Sequence, residues 1–583
     1  MKNKLSRFIK LKEVIFPFSI IFLILITYWN LTKSFFEQDE WLGIGGILYY
    51  TEPGRPFLEV LYKYIRDIIS ERMVPLTVVS LYFQFKTFSL QFSYYALVSI
   101  ALHLINSFLI FYLSLTLLKN KYLAFISALF FGLNSIASQT VTWIAATMST
   151  QTAASFFLLS LLFLSKFILG KKKKTFFLGL SFLFLFIGIL FKEIILPLFI
   201  VIPLFWLIYS PKVNKEFLKK IVVPLFIIAL FYFFIKYAFV PQNLNGSPQL
   251  KPWLEPHATT YVYRLVTAPF KIISQSVAPA ELMISISKKI IFLGYPQYFV
   301  YSETEVNPYV SETVIFDSVS YMLSFLIFFL LYVSYRFSLK SKNNEFLKPL
   351  LVSIMIIIVS SLPFVFIPGI GGYFSIYEPR HLYIPLIGSS LMLTILIYSI
   401  AKIILRKQKL ATIFSIAILL PFIWFSVLSI KGRIHALVEN AKVRKMILNT
   451  ISDQHKTLPN NAVIYTESDS PYYGLPLGQN ILPFQSGFGQ TLLVWYYSKG
   501  EKLPSCFFDH AWLYYLDKDQ GYKNCNGRGF GYFRDFESLK RAIQENNLSH
   551  EEIIAFSWNS KKKIFRENTQ EIKNRLKQSS INK

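Results

Sequence analysis

Residues 152–191 read TAASFFLLSLLFLSKFILGKKKKTFFLGLSFLFLFIGILF. Two apolar runs are separated by a short turn that carries four consecutive lysines, Lys171 to Lys174, with Lys166 just before it. A membrane-spanning helix needs about 20 mostly apolar residues, and a loop crowded with lysine stays on the cytoplasmic side. The stretch therefore reads as one helix coming in, a basic cytoplasmic turn and a second helix going out. The rest of the chain repeats this grammar. Of the 583 residues 54% are hydrophobic, 16% are charged and 58 are Phe, whereas soluble proteins carry about 25% charged residues. Soluble multidomain, disordered, fibrous and disulfide-scaffold classes are excluded.

Working outward, eleven segments qualify as spans: 14–31, 92–118, 122–137, 152–169, 175–191, 194–209, 221–240, 314–335, 350–367, 382–400 and 411–430. Basic residues gather before the first span and in every second connection, around Lys119, Lys171, Lys212, Lys340 and Arg406. The positive-inside rule then puts the N-terminus in the cytoplasm of a plasma (inner) membrane and the segment from 431 onward outside it. The first span is too long for a cleaved signal and no small-x-small site follows it before Trp41, so it reads as a retained anchor. The net charge of +27 thus reports topology, with membrane lipids rather than nucleic acid as the partner. The run 171–174 is read as a topology determinant in preference to an anionic-lipid site.

Three outer segments are long: 32–91, 241–313 and 431–583. The first opens on Asp39-Glu40, adjacent carboxylates suited to general-base work or to ligating a metal. It continues through an amphipathic stretch at 57–69 to Arg72-Met73-Val74-Pro75-Leu76-Thr77. The second is proline-rich and then amphipathic over 261–292. The third turns polar and reads as a small α+β domain with strands near 462–466, 492–497 and 511–516, a helix over 535–547 capped by Asp535, and a lysine-rich tail. The two cysteines, Cys506 and Cys525, fall inside it, where an oxidising exterior allows a disulfide. No histidine spacing points to a metal.

The order of these pieces resembles the GT-C superfamily of integral-membrane glycosyltransferases, and within it the protein O-mannosyltransferase group and its TPR-carrying relatives. Asp39-Glu40 is similar to the acidic motif of that family's first outer loop, and residues 72–77 to an Arg-Pro-Leu-Thr segment with two residues inserted. Residues 101–112, with His103 and Asn106, are similar to its second helix. Residues 128–161 align without a gap to a pattern containing HPxxxExVxWIxxR, but the His, Pro, Glu and Arg stand here as Asn134, Ser135, Gln139 and Thr147. Phe191-Lys192-Glu193 with Pro197, and Tyr377-Glu378-Pro379-Arg380-His381-Leu382-Tyr383-Ile384-Pro385, complete the resemblance. It covers residues 14–430, and no 34-residue TPR period follows.

The resemblance implies one transmembrane domain, 1–430, and one extracytoplasmic domain, 431–583. It also implies transfer of a sugar, mannose in the nearest group, from a polyprenyl-phosphate donor to a hydroxyl of a protein, lipid or glycan. Asp39 is the expected base, with Glu40 beside it. Arg380 is the expected phosphate clamp, because guanidinium pairs bidentately with phosphate oxygens. His381, Lys192 and Arg72 are further phosphate ligands, and Glu193 and Glu378 support them. The changed positions Asn134, Gln139 and Thr147 receive no catalytic role. No cofactor is indicated, and the sequence leaves metal dependence open. Two other readings stand beside this one: a lipid or glycan flippase without chemistry, and a polysaccharide polymerase or ligase.

Overall fold

The computed structural model describes residues 2–37, 40–50, 58–59, 62, 74–170, 174–239, 258–294, 308–340, 346–365, 377–470, 480, 482–484, 487–509, 512–513, 516 and 521–581. Two compact units result: Met1–Trp29 with Ile68–Thr77 and Val98–Gly432, and Asn30–Asp67 with Val78–Leu97 and Arg433–Lys583. Among the described residues eight helices are long and apolar enough to cross a membrane, so the chain is a multi-pass membrane protein. The bent pair Lys121–Gly132 and Ser135–Thr142 makes a ninth if counted as one span, and Thr175–Phe191 and Glu193–Tyr209 are shorter apolar helices. Where they are described, the expected segments lie along these elements, of which eight meet the length and hydropathy of a span, or nine with the bent pair. The 17 residues of Thr175–Phe191 rise about 26 Å, short of the ~30 Å hydrocarbon thickness.

In the first unit the spanning helices are largely apolar all round, whereas Ala258–Gln275 is amphipathic. On Val223–Phe239, Leu225 and Tyr232 are buried while Phe226, Leu230, Phe233 and Phe234 are exposed, a face suited to lipid. Helices approach closely where side chains are small. At Gly388 an added Cβ would lie 2.6 Å from the Ser353 carbonyl and 2.7 Å from Ile357, so helix Pro385–Leu405 can seat against Leu347–Ser361 only with glycine there. The expected continuous span over 122–137 is corrected. The chain bends by 55° between Gly132 and Ser135, and Asn134 caps the short helix that follows by accepting from the Ile136 amide at 2.9 Å. The expected loop over 138–151 is also helical, ending in a widened turn at Thr147–Gln151. Asparagine's preference for the cap position explains the break.

The second unit contains a five-stranded sheet in the order β2-β3-β1-β4-β5. Its strands are β1 Asn461–Ser468, β2 Gly521–Cys525, β3 Arg528–Phe533, β4 Ile553–Asn559 and β5 Ile564–Glu567. β1 runs parallel to both β3 and β4, and the outer pairs are antiparallel. Asn526 and Gly527, both at positive φ, make the tight turn from β2 to β3 that such a hairpin favours. The strand expected at 492–497 is instead part of helix Phe488–Ser498, where Phe488, Leu492, Leu493 and Tyr496 are buried at helical spacing. A short apolar run does not by itself separate strand from helix. Of 511–516, the described Trp512, Leu513 and Leu516 are helical. Cys506 and Cys525 form a disulfide. Residues before the C-terminal segment join this unit through aromatics: Trp41 packs on Phe35 and Phe36, and Phe36 on Phe92 and Tyr95. Most of the amphipathic stretch at 57–69 lies outside the described residues.

Helix Phe536–Asn546 starts as expected on Asp535, whose carboxylate accepts from the Ser538 amide at 2.7 Å. Hydrogen bonding by Ser538 holds this carboxyl below its ordinary range. A depressed folded value means stabilisation present above the unfolded pKa of ~3.9 and lost as pH falls through the folded value. Asp535→Ala should cost this helix about 1 kcal/mol at neutral pH. Hydrogen exchange on the full-length protein should show amides 536–546 exchanging roughly 5-fold faster, with the difference shrinking in acid.

Candidate functional site

Arg380 sits in the short turn Pro379–His381 that leads into helix Pro385–Leu405. The proline at 379 fixes φ at the start of this turn. The guanidinium lies over the Trp143 ring, its central carbon 4.0 Å from the ring centroid, and its Nε pairs with Glu378. His381 Nε2 is 3.9 Å from the same carboxylate. The backbone is held as tightly: the Arg380 amide donates to Gln139 Oε1 at 3.0 Å, and the Thr140 hydroxyl donates to the Arg380 carbonyl at 3.4 Å. The Arg380 side chain is 26% exposed, Glu378 19% and His381 22%. A cation so placed is partly desolvated yet reachable from one side, the condition under which charge attracts an anion most strongly.

Lys192 is tied to the same segment. It caps the end of Thr175–Phe191, and its ammonium donates to Ser149 at 3.4 Å. The neighbouring Glu193 pairs with Lys236 at 3.3 Å and accepts from Tyr232 at 3.4 Å. Residues 139–151 therefore anchor both cations, Arg380 through Gln139, Thr140 and Trp143, and Lys192 through Ser149.

Two further cations belong to this unit and the motif reading missed them. Lys271 is 1% exposed and pairs with Asp317 at 2.9 Å, beneath Tyr263 and Tyr321. Arg264, also buried, donates to the Val365 carbonyl at 3.4 Å. Both lie on helix Ala258–Gln275, seven residues apart and hence on one face. A charge repeating on the buried face of an amphipathic helix was the available signal. From the same helix Gln275 accepts the Tyr377 amide at 2.9 Å. Burial first, then the charge of Asp317, pushes the Tyr377 hydroxyl up, so it stays a proton donor at neutral pH. Phe364 bridges Tyr377 and His381, with ring centroids 4.8 and 5.6 Å away.

Behind Arg380 runs a buried polar spine. Gln151 Nε2 donates to the Thr140 carbonyl and to Ser99, both at 3.0 Å, and Thr147 lies 2.9 Å from Ser99. Asn106 donates to the Gln151 carbonyl at 3.0 Å and to the Tyr383 hydroxyl at 3.1 Å, while Ser155 donates to Asn106 at 2.7 Å. His103 completes it, 2.9 Å from the Gly132 carbonyl through Nε2 and 2.8 Å from Tyr383 through Nδ1. Since a carbonyl only accepts, Nε2 carries the hydrogen and Nδ1 accepts from the tyrosine.

Asp39 and Arg72 lie outside the described residues. Glu40 begins helix Glu40–Tyr50 in the second unit and is 3% exposed. In that unit Arg444, itself buried, donates to Glu37 at 3.4 Å and is attracted by both Glu37 and Glu40. Among the described residues no three His, Cys, Asp or Glu side chains come together as a metal site.

No family model matches the chain, and no curated protein does. Among solved structures it is similar to ArnT from Cupriavidus metallidurans bound to undecaprenyl phosphate, at 12% identity over 94% of each chain with a TM-score of 0.35. The apo state of ArnT from the same organism gives 12% identity over 95% of this chain and 94% of that one, with a TM-score of 0.34.

The spine yields a stability test. Tyr383→Phe keeps the ring packed on Phe131 but leaves His103 Nδ1 and an Asn106 N–H without their shared partner. The expected cost is about 1–3 kcal/mol, measured as a lowered thermal unfolding midpoint of the purified protein in detergent.

Proposed function

We propose that this protein is a GT-C-type membrane glycosyltransferase that moves a sugar from a polyprenyl-phosphate donor to an acceptor hydroxyl at the outer membrane surface. The observation that carries this reading is Arg380, a partly exposed guanidinium held between Trp143 and Glu378 on a backbone pinned by Gln139. A pre-set cation of this kind suits a phosphate that gains charge as its bond to the sugar breaks. In the reaction the acceptor O–H gives its proton to a carboxylate base and attacks the anomeric carbon. The bond from that carbon to the phosphate oxygen breaks, and polyprenyl phosphate leaves with the electron pair.

Arg380 meets the growing negative charge, with His381, Lys192 and Arg72 as additional donors and Glu193 and Glu378 as their supports. Asp39 is the base. The attraction of buried Glu40 to Arg444 suits Glu40 to a positioning part, leaving Asp39 as the proton acceptor. The reading includes eleven spans, a cytoplasmic N-terminus and a domain at 431–583 outside the membrane. Mannose is the sugar suggested by the sequence resemblance.

The test uses full-length protein in proteoliposomes with radiolabelled polyprenyl-phosphate mannose and glucose. Arg380→Ala should lower transfer about 100-fold or more, the size of effect expected when a transition-state donor is lost. Arg380→Lys should recover only part, since it keeps the charge without the planar fork. A folded Arg380→Ala that transfers at the parent rate would sink the clamp. If the parent moves labelled lipid between leaflets without consuming it, the flippase reading replaces this one.

A further inference from the structure

On the face of the first unit where helices Phe92–Leu118 and Ile144–Leu169 end and Thr175–Phe191 begins, a cavity of about 390 Å³ opens between them. Lys119, Lys166 and Lys174 reach it from all three helix ends, alongside Thr116, Ser165, Leu169 and Phe177. Among the described residues none of the three lysines pairs with a carboxylate. Lys166 instead lies over the Phe163 ring at 5.4 Å.

Helix dipoles account for only part of this charge. Two helix C-termini contribute about −0.5 each and one N-terminus about +0.5, a net of roughly −0.5. Three ammonium groups overshoot that by more than two charges. A topology signal needs the lysines on the right side of the membrane; it does not need them gathered around one cavity with an apolar wall. Both hydroxyls are already used inside their helices, Thr116 donating to the Tyr112 carbonyl and Ser165 to the Leu161 carbonyl. The ammonium groups are thus the recognition elements, and the unmet requirement is for an anion with apolar chains.

We infer that this cavity binds the phosphate headgroup of an anionic phospholipid, its acyl chains running along Leu169 and Phe177. The site is separate from the Arg380 centre, and the inference holds whether or not the chain transfers sugar. Basic pockets between spans on the cytoplasmic side are a known form of such recognition, each lysine contributing about a 5-fold gain in binding.

The experiment is native mass spectrometry of the full-length protein in detergent, titrated with dioleoyl phosphatidylglycerol or dioleoyl phosphatidylcholine. The parent should retain phosphatidylglycerol at concentrations where phosphatidylcholine is lost. Lys119→Gln should weaken retention about 5-fold, and Lys119→Gln with Lys166→Gln about 30-fold. The double variant leaves the run 171–174 in place, so its topology signal persists. Equal retention of the two lipids, or parent-like retention by the double variant, overturns the inference. Inorganic phosphate binding as tightly as the lipid also overturns it, because the apolar wall would then contribute nothing.

Discussion

A guanidinium taken partly out of water must be held by groups that replace its hydration, and at Arg380 those groups are an indole face and a carboxylate. The arrangement is worth having only if it does not move. Arginine's side chain has a large rotamer entropy to lose, and the planar fork loses less of it when its position is already set. Here the backbone on either side of the cation is tied to Gln139 and Thr140. The ring beneath it, Trp143, belongs to the same short stretch. One segment therefore fixes the ring, the backbone and, through Ser149, a second cation at Lys192.

That segment can serve as a support because it is itself anchored. A helix broken inside a membrane protein exposes amide and carbonyl groups that lipid cannot satisfy. At the bend after Gly132 the Asn134 side chain takes one of the freed amides. Further along, the Thr140 carbonyl accepts from both Gln151 and Thr147. The spine then continues through Asn106 and Tyr383 to His103. Tyr383 is three residues beyond Arg380, so the same turn that presents the cation is locked from behind by the histidine. Packing, break and cation are thus consequences of one hydrogen-bonded layer.

Much of the membrane fold was legible because hydrophobic runs and alternating basic loops are a strong, long-range pattern. The connections between spans were read less well. Residues 138–151 looked like a loop because Ser, Gln and Thr dilute the apolar signal, although they are largely helical and bonded inward. Arg264 and Lys271 escaped notice because no motif surrounds them; their seven-residue spacing on an amphipathic helix was the one signal, and burial gives it weight. In the second unit the run 492–497 was ambiguous by length alone. Nothing in the sequence hinted that Phe36 would join Phe92 and Tyr95, since that contact depends on chain folding rather than on local period.

The positions where the resembling family carries His, Glu and Arg show what neutral side chains can do instead. Asn134 caps a helix, Gln139 accepts the Arg380 amide, and Thr147 bonds Ser99 and the Thr140 carbonyl. None of these jobs requires charge. A carboxylate at half-buried 139 would need a cation partner to offset its desolvation, and an arginine at fully buried 147 would need an anion. Replacing such groups together leaves no orphan charge behind, whereas replacing any one alone would. The spine is then a neutral scaffold beside the charged Arg380. Neutral residues at 134, 139 and 147 thus support the stretch beneath Arg380 by hydrogen bonds alone, with no counter-charge of their own to satisfy.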